Sequence, residues 1–147
     1  MNPELDRLAD DYWTVVLETY PTYATIVGDH RFDHLIEDVS GEGEARTRSR
    51  LVALRERLDA IEGATHLAGQ DRITARVLRT ELDDQIRLID LGLTELRSDQ
   101  MDGPHMNLLV SAPQLAAETP DHAEALLDRF AKVGTMLDRA AERFREG

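Results

Sequence analysis

The feature that most constrains this chain is a row of apolar residues at Leu78, Leu82, Ile86, Ile89, Leu93 and Leu96. Steps of three and four keep one side of an α-helix apolar, whereas a half-buried strand would need strict alternation. The row predicts a long helix from Gln70 to about Arg97, with a buried face close to a coiled-coil seam. Gly92 falls inside that span, at a cost of about 1 kcal/mol relative to Ala that close packing would offset.

The same period recurs elsewhere. Leu5, Leu8, Tyr12, Val15 or Val16, and Thr19 predict a first helix from Pro3 to Thr19, with Pro3 in its first turn. Pro21 interrupts the pattern, and Thr22 to Val27 add a short helical turn before Gly28. From Gly28 to Gly43 the periodicity disappears into a stretch rich in Gly, Asp and His, which reads as an ordered loop. Leu51, Leu54, Leu58 and Ile61 then mark a helix from Glu44 to Gly63. A second ordered loop is expected from Ser98 to Gln114, with Gly103-Pro104 as its turn. Thr119 caps a last helix, with Pro120 in its first turn. Its expected buried face is Ala123, Leu126 or Leu127, Phe130, Val133, Leu137, Ala140 or Ala141, and Phe144. The fold class is therefore all-α: an antiparallel bundle of about four main helices with two ordered loops, one helical segment spanning residues 1–147.

The 147 residues carry 29 acidic against 17 basic side chains, a formal net charge of -12. Such a surface repels nucleic-acid phosphates and anionic headgroups, so neither nucleic acid nor a membrane is an expected partner. The absence of cysteine removes disulfides, thiolate zinc ligands and cysteine nucleophiles. The residues from Met1 to Trp13 are acidic and amphipathic, unlike a signal peptide, and no apolar run is long enough for an anchor. A cytoplasmic location is expected.

His30 and His34 stand four apart, the spacing at which two imidazoles on a helix can share zinc. The zinc-hydrolase pattern places a Glu immediately after the first His, where it acts as general base. Here that residue is Arg31, a cation that repels metal and accepts no proton, and the segment reads as loop. No metal site and no catalytic residue is expected. Asp29 or Asp33 can instead cap backbone amides, Phe32 can anchor the loop, and Arg31 can pair with a carboxylate. Polar loops between apolar helices are also where binding residues sit, which makes Asp29, His30, Arg31 and His105 the candidate substrate-binding residues. His66 and His122 read as solvent-facing or helix-terminal. Asp10-Asp11 and Asp83-Asp84 read as exposed helix surface, and no nucleophile elbow or phosphate loop is present.

An ordered set of motifs resembles a known family. Tyr12-Trp13, Pro21, Ala24-Thr25 and Gly28-Asp29-His30-Arg31 are similar to the opening of the bacterial domain of unknown function 885 family. Gln100 to His105 resembles its Gln-Met-x-Gly-Pro-His segment, and the helix from Leu126 to Gly147 resembles the one that follows. The resemblance implies the N-terminal part of a larger, mostly helical fold related to zinc carboxypeptidases. In such proteins a C-terminal His-Glu-x-x-Pro-Gly-His segment would hold zinc and activate water. This sequence contains no His-Glu pair, so no cofactor is expected on this chain, and zinc only in a full-length member.

Two functions follow. The first is an N-terminal helical fragment of a zinc metallopeptidase-like protein, lacking the metal-binding segment. Its loops at Gly28–Arg31 and Gln100–His105 would face a peptide-binding cleft, and its partner would be the missing C-terminal portion or a second copy. The alternative is a self-contained helical bundle acting as a non-catalytic interaction module.

Overall fold

The computed structural model describes residues 2–93, 101 and 103–146. In chain order its α-helices are α1 (Pro3–Thr19), α2 (Pro21–Ile26), α3 (Gly41–Ala64), α4 (Gly69–Asp90), α5 (Pro104–Ser111), α6 (Pro120–Ala131) and α7 (Val133–Glu146). Single 3-10 turns lie at His30–Phe32 and Ala112–Gln114. The fold is all-α, with no strand among the described residues. Nor is any helix among them long and apolar enough to cross a membrane.

Local chemistry sets the helix starts. The Asn2 side chain accepts from the amides of Glu4 (2.9 Å) and Leu5 (3.3 Å) at the head of α1. Ser40 Oγ accepts from the Gly43 amide at 3.1 Å, and Thr119 Oγ1 from the His122 amide at 3.2 Å. Each bond satisfies an amide that has no partner within its helix.

The chain divides into two compact units, one of Met1–Val16 with Ala45–Gly92, the other of Leu17–Glu44 with Leu93–Gly147. In the first, Leu5 and Leu8 from α1, Leu51 and Leu58 from α3, and Leu78 and Leu82 from α4 form one apolar cluster. Ion pairs Arg48–Asp90 (2.6 Å), Arg55–Asp83 (2.6 Å) and Arg79–Asp59 (2.8 Å) run α3 and α4 antiparallel. Tyr12 meets Glu81 and Gln85, and the Asn2 amide meets Asp71, so α1 runs parallel to α4.

The structure corrects several boundaries. The long helix ends at Asp90, not near Arg97, because Gly92 takes a left-handed φ of 63° and closes it. Gly92 is thus a helix terminator and not an internal close contact. Leu93 lies beyond α4, and Leu96 lies outside the described residues. Within the expected second loop, Pro104 starts α5, its missing amide being no loss at a first helical position. The last helix is interrupted at Lys132, whose backbone N–H turns to the carbonyls of Arg129 and Phe130.

Its buried face is also rotated from the expected one. Leu126, Arg129, Met136, Ala140 and Arg143 are buried, with Val133 half-buried between them, while Leu127, Phe130 and Leu137 are exposed. Two arginines occupy positions that periodicity alone would give to leucine.

Candidate functional site

The candidate residues Asp29, His30 and Arg31 lie in the second unit, in a loop that folds around a buried arginine. Gly28 opens the loop with a φ of 87°, a left-handed conformation that glycine adopts without strain. Asp29 then caps the 3-10 turn, its Oδ1 accepting from the Arg31 amide at 3.2 Å. The Arg31 guanidinium returns to the same carboxylate at 2.7 Å and lies 5.0 Å over the Phe32 ring. Hydrogen bonding from Arg31 holds the Asp29 carboxyl below its usual range. Capping and pairing thus fall where the sequence suggests, with Asp29 as the capping residue.

From Asp33 to Val39 the backbone enters no helix, and its carbonyls need donors from elsewhere. Arg129 of α6, Arg143 of α7 and Lys132 between them supply those of Leu35, Val39 and His34, and Arg129 serves adjoining carbonyls as well. Arg129, fully buried, donates through Nε to the Leu35 carbonyl (2.6 Å) and through Nη2 to those of Pro21 (3.0 Å) and Phe32 (3.0 Å). Nη2 also donates to Thr25 Oγ1 at 2.9 Å. Lys132 reaches the His34 carbonyl at 2.5 Å, and Arg143 reaches that of Val39 at 3.4 Å and the Glu44 carboxylate. Arg139 pairs with Asp38 at 3.4 Å.

Under this loop the charges are compensated. Asp33 is 1% exposed and lies 3.8 Å from Arg129, and its Oδ1 accepts from the Thr25 hydroxyl at 2.5 Å. The Glu37 carboxylate accepts from the Thr22 amide and hydroxyl at 3.0 and 3.1 Å. Burial lowers the Arg129 pKa, while Glu37 and Asp33 act to raise it. Arginine stays charged through such a shift.

His30 Nδ1 lies 2.8 Å from Asp33 Oδ2. A neutral imidazole donating its Nδ1 proton to this carboxylate presents Nε2 as acceptor. His122, near the start of α6, stacks on His30 with centroids 3.9 Å apart and planes 12° from parallel. His30, Asp33 and His122 bring metal-ligating atoms within 4.8 Å of one another. A divalent ion binds an imidazole in the ring plane at about 2.0–2.1 Å. Near-parallel planes at this separation do not converge on one point near both rings, so the arrangement does not fit a shared ion. His30 hydrogen-bonds no side-chain hydroxyl among the described residues; its partners are the Asp33 carboxylate and the His122 ring.

His34 is exposed and is not part of this cluster. His105 is exposed near the start of α5, and no hydrogen bond, ion pair or ring contact among the described residues joins it to the loop. The sequence reading missed Arg129 and the His122 stack altogether. The available signal was an arginine in step with Leu126, Val133, Met136 and Ala140.

An all-α fold whose polar loop is clasped by buried arginines defines the class. Residues 21–147 match the family model described as bacterial protein of unknown function, DUF885, and the chain belongs to that family. No curated protein and no solved structure matches the chain.

Proposed function

We propose that this chain is the N-terminal helical portion of a zinc peptidase-like member of its family, forming one wall of a peptide-binding channel. In this reading the Gly28–Arg31 loop faces the channel, with His30 and Arg31 contacting the peptide and His105 lining it from α5. The zinc and the general base belong to the His-Glu-x-x-Pro-Gly-His segment, which this chain does not contain, and the protein is cytoplasmic.

The observation that carries the reading is a rigid seat beneath exposed polar side chains. Arg129 holds two loop carbonyls, Phe32 and Leu35, from below and ties them to the Pro21 carbonyl of α2, while His30 (29% exposed) and Arg31 (57% exposed) remain accessible above. A loop fixed in this way presents binding groups without ordering them anew for each ligand.

Two measurements test it. In a full-length member containing the His-Glu segment, peptide hydrolysis should be abolished by chelator, and the equivalents of His30→Ala and Arg31→Ala should raise KM by about three- to tenfold, with kcat little changed. The 147-residue chain alone should neither hydrolyse peptides nor bind stoichiometric zinc by mass spectrometry. Chelator-sensitive hydrolysis by the chain alone, or unchanged KM in both variants, refutes the proposal.

A further inference from the structure

The second unit leaves one helical face open while committing most of its cations to the loop. We infer that this face of α6 and α7 docks an amphipathic α-helix whose one edge is lined with Lys or Arg.

The buried row Leu126, Arg129, Val133, Met136, Ala140 and Arg143 keeps steps of three and four across Lys132, so the two helices share one inward side. One position on, about 100° around the axis, runs a second apolar row. Leu127 is 70% exposed, Phe130 41% and Leu137 36%, with Ala141 and Phe144 half-buried beyond them. An apolar row of this length facing water marks an interaction surface more often than chance.

Charge selects the occupant. Along the outer edge of that row lie Glu124, Asp128, Asp138 and Glu142, all exposed, and none forms an ion pair among the described residues. Of the four arginines in α6 and α7 and Lys132 between them, Arg129, Lys132, Arg139 and Arg143 are turned to the loop, which leaves Arg145. A helix laid along the apolar row therefore meets four carboxylates against one cation, Arg145, at the far end of the same edge, a net negative row that a basic edge complements and an acidic edge repels. A second copy of the chain fits poorly, because antiparallel pairing sets the two acidic rows against each other and each chain carries -12. The inference does not depend on the peptidase-like reading, since zinc has no part in it.

The test uses the 147-residue chain and two synthetic helical peptides of about 18 residues, or five turns. Both carry Leu at helical spacing; one has a Lys edge, its twin a Glu edge. Fluorescence anisotropy should give at least about tenfold tighter binding of the Lys-edged peptide. Leu127→Asp with Leu137→Asp should weaken that binding about tenfold or more, with the circular-dichroism melt retained because both sites face water. Reversing the four carboxylates to Lys should invert the preference and favour the Glu-edged peptide. Affinity within twofold of wild type in the double Asp variant overturns the inference, since net charge alone would then explain binding. Dimerisation through this face, seen by sedimentation and lost in the same variant, overturns it in favour of a second copy.

Discussion

Leu82 and Arg129 hold equivalent places in the two units: each is fully buried on the inward face of a helix. Around Leu82 the neighbours come from helices, whose peptide groups are already paired, so the interior needs only apolar volume. Around Arg129 the neighbours include non-helical backbone, where the Leu35 carbonyl takes its donor from the guanidinium, and the end of a 3-10 turn, where the Phe32 carbonyl accepts from the guanidinium as well as from the Leu35 amide. A guanidinium offers five N–H groups in a fixed fork, enough to serve several carbonyls from one side chain. The contrast teaches that a core position is defined by what it must satisfy. Packing helix on helix asks for leucine; packing helix on loop asks for a donor.

The strongest way to break this comparison is to make the second unit resemble the first. Arg129→Met keeps an unbranched side chain but removes every donor, leaving Asp33 charged and buried without its cation. The expected loss is about 3–5 kcal/mol, the usual consequence of deleting one partner of a buried pair. Denaturant titration measures it, and hydrogen exchange should show the opening confined to amides of the second unit. Adding Asp33→Asn to Arg129→Met should recover part of the loss, because the stranded charge is gone. A variant within 1 kcal/mol of wild type would show that Arg129 is dispensable to the loop.

How far the sequence revealed each unit follows from the same physics. Leu51, Leu54, Leu58, Leu78 and Leu82 announce themselves by period, because in a helical seam burial and hydropathy coincide. Arg129 and Arg143 were hidden because hydropathy assigns arginine to water, and the apolar alternatives Phe130 and Phe144 lay one position away. The His30–His122 stack joins residues far apart in sequence, a juxtaposition no local pattern encodes. The end of α4 was missed because Leu93 and Leu96 continue the apolar period past Gly92, and period says nothing about a left-handed φ. What was legible in the candidate loop was local: Asp29 capping and pairing with Arg31 two residues on.

The first unit should respond to a change of volume as the second responds to a change of charge. Leu82→Ala removes a fully buried side chain from the apolar cluster, and about 3 kcal/mol is expected within the range of about 2–5 for such truncations. Leu82→Met, which nearly conserves volume, should lose less than about 1.5 kcal/mol. The asymmetry sharpens the comparison: an unbranched apolar replacement is tolerated at Leu82 and damaging at Arg129. Equal losses for Met at both positions in denaturant titrations would erase the distinction.

The smallest effect belongs to the ion pairs on the outside of the α3–α4 seam. Hydrogen bonds from Arg48 hold the Asp90 carboxyl below its ordinary value, and those from Arg55 and Arg79 do the same for Asp59. A carboxyl whose pKa is lower folded than unfolded binds fewer protons in the native state, so it stabilises the fold above the unfolded pKa of about 3.9. That contribution is progressively lost as pH falls from there through the lowered folded pKa. Both carboxylates are open to solvent, where screening and side-chain entropy leave such pairs little net effect. Arg48→Ala should therefore lower the thermal midpoint slightly at pH 7, by an amount that shrinks in 1 M salt. The gap from wild type should narrow further as the medium is taken below pH 4. A gap that persists unchanged in acid would mean that Arg48 acts through its packed methylenes and not through the charge of Asp90.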